Sequence, residues 1–149
     1  MSTTMMSGTG SGLYRHNVIS LFIAGAISVI VFQHGSITVL NLLGYAPPPY
    51  AYTLSKPFGV PQIWSWAFWG GVWGLVFGLA EKKFPEGPMY YAAAFLFGAI
   101  LPTLVLWFVV FPLKGLPMAS GWNIDRMWVQ VVHHGFWGLG VGILLKWRA

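Results

Sequence analysis

The chain contains no cysteine and very little charge. Without cysteine there is no disulfide, no thiolate metal site and no cysteine nucleophile. Only 7% of the 149 residues are charged, against about a quarter in a soluble globular domain. So few charges cannot cover a folded surface in water. Glu81, Glu86 and Asp125 are the only acids. Each stands in or beside a connector near basic residues, where a solvated ion pair is the expected role, and no carboxylate pair suited to hydrolysis is present. A phosphate-binding glycine loop is missing too, because Gly70-Gly71 and Gly138-Leu139-Gly140 fall inside helices without the preceding strand such a loop requires. The net charge of +5 comes from eight cations scattered at the ends of apolar runs. It marks topology, and no nucleic-acid partner is indicated.

What is abundant is apolar and aromatic. The chain is 56% hydrophobic and 17% aromatic, with nine tryptophans and 19 glycines, and its mean hydropathy is +0.67. Hydrocarbon is the solvent that suits this composition, with tryptophan enriched at the two membrane–water interfaces and glycine allowing close helix approach. Crossing a bilayer takes about 20 apolar residues. Four segments are long enough, at about 17–43, 62–80, 89–113 and 127–147. The expected fold is therefore an all-α integral membrane protein of four transmembrane helices forming one domain over 15–149, after a disordered polar tail at 1–14. The first apolar run is too long for a cleaved leader and reads as a membrane helix.

The connectors are short. Residues 44–61 include Pro47, Pro48 and Pro49, which cannot continue a helix and favour a stiff extended loop. Residues 81–88 form a charged turn, and residues 114–126 are placed along the membrane interface. With a cytoplasmic N-terminus, Arg15, Lys82, Lys83, Lys146 and Arg148 lie inside, and Lys56, Lys114 and Arg126 lie outside. That cation bias places both termini in the cytoplasm.

A shift of 64 residues aligns the second segment with the fourth at seven identities, among them Gly71 with Gly135, Trp73 with Trp137, Gly74 with Gly138 and Gly78 with Gly142. The first and third share Gly-Ala-Ile at Gly25–Ile27 and Gly98–Ile100. The pattern implies a duplicated two-helix hairpin, its halves related by a pseudo-two-fold axis along the membrane normal. Gly70, Gly74 and Gly78 recur every four residues and form a packing ridge, matched by His134, Gly138 and Gly142. The simplest packing places these two ridges against each other, leaving Trp66, Trp69, Trp73 and Phe77 for lipid or a partner subunit.

Polar side chains within the bilayer are costly and usually face the protein interior. Gln33, His34 and Asn41 lie on the first span, and Gln130, His133 and His134 on the fourth. His34 stands roughly 14 Å, and His134 roughly 10 Å, from the same end of the bundle at 1.5 Å per residue, so the two can meet. These histidines, with His133, admit three readings: interhelical hydrogen bonds, proton sensing or relay, or ligation of haem or a metal ion. Against ligation by both members of the His133-His134 pair, neighbours on a helix diverge by about 100°. Pro102 and Pro112 interrupt the third span as kinks or hinges.

From Phe77 onward, Glu81-Lys82-Lys83-Phe84-Pro85, Val110-Phe111-Pro112-Leu113-Lys114-Gly115-Leu116, and His134 with Trp137 in the last span are similar to the YagU-like inner-membrane family of bacteria. The resemblance implies a multi-span inner-membrane protein associated with survival of acid stress, and none of its motifs is catalytic. Together these readings lead to a small non-enzymatic inner-membrane protein, an oligomer or an accessory subunit of a larger complex, with no resident cofactor. The alternatives are a haem- or metal-binding electron-transfer subunit using His34, His133 and His134, and a channel or transporter protomer.

Overall fold

A computed structural model describes residues 15–50, 53–55 and 58–147. The polar tail expected at 1–14, and the cations Lys56 and Arg148, lie outside them. Four helices are long and apolar enough to cross a membrane: Val18–Leu42, Gln62–Glu81, Pro88–Leu113 and Ile124–Trp147. Below they are the first to fourth helices. The end at which the first begins and the second finishes is called basal, the opposite end distal.

Local chemistry sets the boundaries. Asn17 is extended, and its side-chain oxygen accepts the Ser20 N–H at 2.7 Å, capping the first helix. The second helix starts at Gln62, directly after Pro61. The third begins with Pro88, whose missing N–H costs nothing in a first turn, after Gly87 at φ 71°. Before the fourth, the Asn123 side chain accepts the Asp125 N–H at 3.0 Å, and Asp125 places a carboxylate in the first turn.

Two helices widen into π turns, at Val29–Gln33 in the first and Leu106–Val110 in the third. The third helix runs through the buried Pro102 and leaves α geometry only further on, just ahead of Pro112. The proline-rich connector carries a small antiparallel ladder pairing Leu54–Ser55 with Val60–Pro61. Tyr50, at φ 58°, turns back onto the bundle, and its hydroxyl donates to the Ile30 carbonyl at 3.0 Å.

The first helix packs along the second, the third along the fourth, and the two pairs join chiefly through the first and fourth. Glycine permits both close pairings. A methyl group on Gly25 would run into the Gly70 carbonyl, and one on Gly74 into the Leu21 carbonyl. In the other pair, Gly98 meets the His134 carbonyl and Gly138 the Ala94 carbonyl in the same way. The rings of Phe22 and Phe95 lie over Gly71 and Gly135 respectively.

The expectation that the glycine ridges of the second and fourth helices meet each other is thus corrected. Each ridge lies against the other helix of its own pair, where Gly25 or Gly98 supplies the complementary bare backbone. The second and fourth helices meet instead through the side chains of Phe77 and Trp137, whose rings cross at 6.4 Å. Phe77 was also expected on the outer face. It is fully buried, with the edges and faces of Phe84 and Phe97 at 5.4 and 5.3 Å, and it forms the centre of the apolar core with Leu21, Val29, Trp137 and Val141. Trp69 does stay on the outer face.

Candidate functional site

Polar chemistry inside the bundle is divided between two levels separated by the Phe77 core. The distal level holds the histidines singled out in the sequence. His34 is completely buried. Its Nδ1 lies 2.8 Å from the Val29 carbonyl, at the start of the π turn. A carbonyl only accepts, so Nδ1 carries the hydrogen. Nε2 is then a bare acceptor, buried without a partner among the described residues. The ring is held between Tyr50 and Trp66, with centroids at 5.0 and 5.4 Å.

His133 and His134 lie on the fourth helix with ring centroids 4.4 Å apart. The divergence expected of neighbours is reflected in their partners and not in their separation. The Gln33 side-chain amide N–H donates to His133 Nδ1 at 3.2 Å, reaching the first helix. His134 Nδ1 shares a 2.8 Å hydrogen bond with the Thr103 hydroxyl, reaching the third. One turn away, Gln130 accepts from the indole N–H of Trp107 and exchanges hydrogen bonds with Ser120 at 3.0 and 3.1 Å. Ser120 belongs to a left-handed turn in which Ala119, Ser120, Gly121 and Trp122 all have φ between 49° and 67°. Asn41 is spent locally, donating to the Ala46 carbonyl at 2.8 Å.

The structure therefore brings His133 and His134 into ring contact and sets His34 near enough to His133 to interact with it electrostatically without touching it. Among the described residues, His34 makes no hydrogen bond or ring contact with either of the other two. A bis-histidine haem needs two imidazole nitrogens facing each other across a porphyrin. Two rings on consecutive residues at 4.4 Å leave no space for one, and His34 is closed in by two aromatic rings. Among the described residues no three histidine, aspartate or glutamate side chains gather in a metal-holding group.

The basal level was not visible in the sequence. Glu81, expected to be solvated, is only 1% exposed. Its Oε1 accepts the Tyr90 hydroxyl at 2.6 Å and lies 3.2 Å from His16 Nε2, while Oε2 has no partner among the described residues. One carboxylate thus joins the start of the first helix, the end of the second and the start of the third. The ammonium group of Lys146 sits over the Tyr90 ring at 4.4 Å and adds the fourth. Arg15 donates to the Lys82 carbonyl at 3.4 Å. A glutamate closing an apolar run beside two lysines reads as a solvated end. Only the turn that follows, bringing Tyr90 back over it, reveals its burial.

Beside His16 a half-open groove of about 350 Å³ lies between the first and fourth helices, with Asn17 and Ser20 at the same end and Ile23, Ala24, Ile27 and Leu145 along it.

In comparisons with known proteins, no family model, no curated protein and no solved structure matches this chain.

Proposed function

We propose that this chain is a small non-enzymatic protein of the bacterial inner membrane, working as an oligomer or accessory subunit, whose distal histidines respond to acid. The observation that carries the reading is the His133–His134 pair, two imidazoles in ring contact and tied to different helices. A protonated His134 can only donate at Nδ1, which leaves the Thr103 hydroxyl the accepting role alone. It also places a positive charge beside His133 in a layer where His34, Gln33, Gln130 and the Thr103 hydroxyl are the polar neighbours. No acid is near enough to compensate it. Glu81 and Glu86 stand at the basal end, and Asp125 opens the fourth helix about two turns from His133. An uncompensated charge on half-buried rings within the membrane is costly, so acid would loosen the contacts of the fourth helix with the first and third. The resemblance to the YagU-like family, with its link to acid stress, supports the same reading.

Two further features belong to this proposal. The recurrence of Gly25, Gly70 and Gly74 as Gly98, His134 and Gly138, in the same backbone contacts, supports a duplicated two-helix hairpin with a pseudo-two-fold axis along the membrane normal. The apolar core of Phe77, Phe97, Trp137 and Val141 between the polar levels argues against a conduction path through a single copy.

The test is thermal stability in detergent between pH 8 and 5. The wild-type melting temperature should fall as the pH drops, and the profile should flatten in His133→Gln and His134→Gln. Superimposable profiles for the three proteins would remove the proposal.

A further inference from the structure

We propose that the groove between the first and fourth helices at the basal end binds one acyl chain of an anionic phospholipid, with its phosphate at the mouth. This goes beyond the acid response and rests on the reading that the helices cross a membrane with the basal end cytoplasmic.

Three observations converge. The groove is half open and about 350 Å³, within the range of small-ligand sites, roughly 300–1,000 Å³. Its lining is graded along the helix. His16, Asn17 and Ser20 lie around the start of the first helix, where a headgroup would be. Ile23, Ala24 and Ile27 follow on one side and Leu145 faces them from the fourth helix. Ile23 and Ile27 are partly exposed, so the groove opens sideways toward the surrounding lipid. From Asn17 to Ile27 the helix rises about 15 Å, which is half the hydrocarbon thickness and the reach of a single leaflet.

Charge selects the headgroup. The groove wall itself holds no cation, but Arg15 directly precedes His16 and Lys146 directly follows Leu145; these two and Lys83 are exposed at this end and Lys82 is partly exposed, while Glu86 is the only exposed acid there. Glu81 is set back from the mouth behind His16, with its Oε1 accepting the Tyr90 hydroxyl, and the exposed cations at this end outnumber it. Basic clusters between helices on the cytoplasmic side are the recurring setting for acidic lipid headgroups. A neutral zwitterionic lipid would fit the apolar floor equally well but would gain little from the cations.

The experiment is native mass spectrometry of the full chain, extracted in mild detergent and titrated with phosphatidylglycerol or phosphatidylcholine. A one-to-one phosphatidylglycerol complex is expected, at lower lipid concentration than for phosphatidylcholine. Arg15→Gln, an exposed change that spares the fold, should weaken phosphatidylglycerol binding about fivefold. Ile23→Trp, which fills the groove from its open side, should abolish the complex with either lipid. Equal retention of the two lipids would overturn the headgroup assignment and with it the proposal, as would a complex unaffected by both substitutions. His133→Gln should bind lipid like the wild type, so this result and that of the pH profile fail independently.

Discussion

The indole N–H of Trp137 donates to the Gly25 carbonyl oxygen at 3.0 Å, and this bond fastens one helix pair to the other. Close by, the Ser28 hydroxyl donates to the Trp137 carbonyl at 2.6 Å. The two bonds run in opposite directions between the same helices, both buried. Bare glycines leave room for both: a methyl group on Gly70 would crowd the Gly25 carbonyl and the Trp137 indole nitrogen, and one on Gly140 would meet the Ser28 hydroxyl and the Phe32 ring. In lipid, where apolar burial gives no drive for helix association, such bonds and tight packing hold the pairs together.

Trp137 therefore separates its polar contribution from its bulk. Trp137→Phe keeps most of the ring packing and loses one donor to a carbonyl that still accepts within its own helix, so it should cost about 1 kcal/mol. Trp137→Ala also empties the space beside Phe77 and should cost about 3–5 kcal/mol. Denaturation in mixed micelles measures both. Equal losses would mean that the ring packing against Phe77 contributes little.

The glycine contacts make a position-by-position forecast. Gly25→Ala and Gly98→Ala should each destabilise the bundle by more than about 1 kcal/mol, because the new methyl meets a backbone carbonyl that cannot move aside. Gly35→Ala has nothing within 4 Å of the added carbon and a helical backbone. It should be neutral or slightly stabilising, since alanine is favoured over glycine in a helix by about 1 kcal/mol. Melting temperatures of the three variants decide it. A penalty at Gly35 matching the other two would show that helix propensity, and not interhelical distance, sets the response.

How far these contacts were legible beforehand depends on what encodes them. The limits of the first three spans were legible to within a residue or so, because apolar runs end where Asn17, Pro61 and Pro88 punctuate the chain; the fourth helix begins at Ile124 and not near residue 127, because Asn123 caps a polar first turn that hydropathy does not mark. That Gly70 and Gly74 form a packing ridge was legible too, since spacing alone places them on one face. Its partner was not. These helices are apolar nearly all round, so no polar stripe marks which face turns inward, and Gly25 looked like any other glycine in a membrane helix. Glu81 shows the same gap from the other side. Its burial depends on Tyr90, nine residues on, folding back over it, a tertiary event no local pattern records. The histidines were found by their cost in lipid, but depth alone paired His34 with His134, whereas the hydrogen bonds run from His133 to Gln33 and from His134 to Thr103.

The basal carboxylate predicts coupled losses. Tyr90→Phe removes the donor at 2.6 Å and leaves a buried Glu81 oxygen short of a partner, which should cost about 1–3 kcal/mol. Glu81→Leu alone strands the Tyr90 hydroxyl and should cost a similar amount. The double variant, with neither group left unpaired, should be less damaged than the sum of the two by about 0.5–3 kcal/mol. Strict additivity in a double-mutant cycle would show that the two side chains act independently.

The absence of cysteine permits a direct test of how the bundle sits in the membrane. Lys83 lies exposed in the basal connector and Lys114 exposed in the distal one, so single substitutions Lys83→Cys and Lys114→Cys place one thiol at each end without disturbing the core. The cation bias predicts that the basal end, with Arg15, Lys82, Lys83 and Lys146, faces the cytoplasm. A membrane-impermeant maleimide added to intact spheroplasts should then label Lys114→Cys and spare Lys83→Cys, and lysis should make both react. The reversed pattern would invert the topology and move the histidine level to the cytoplasmic half, where external acid would not reach it. Labelling of both positions in intact spheroplasts would contradict membrane crossing itself, because four helices that span must leave these connectors on opposite sides.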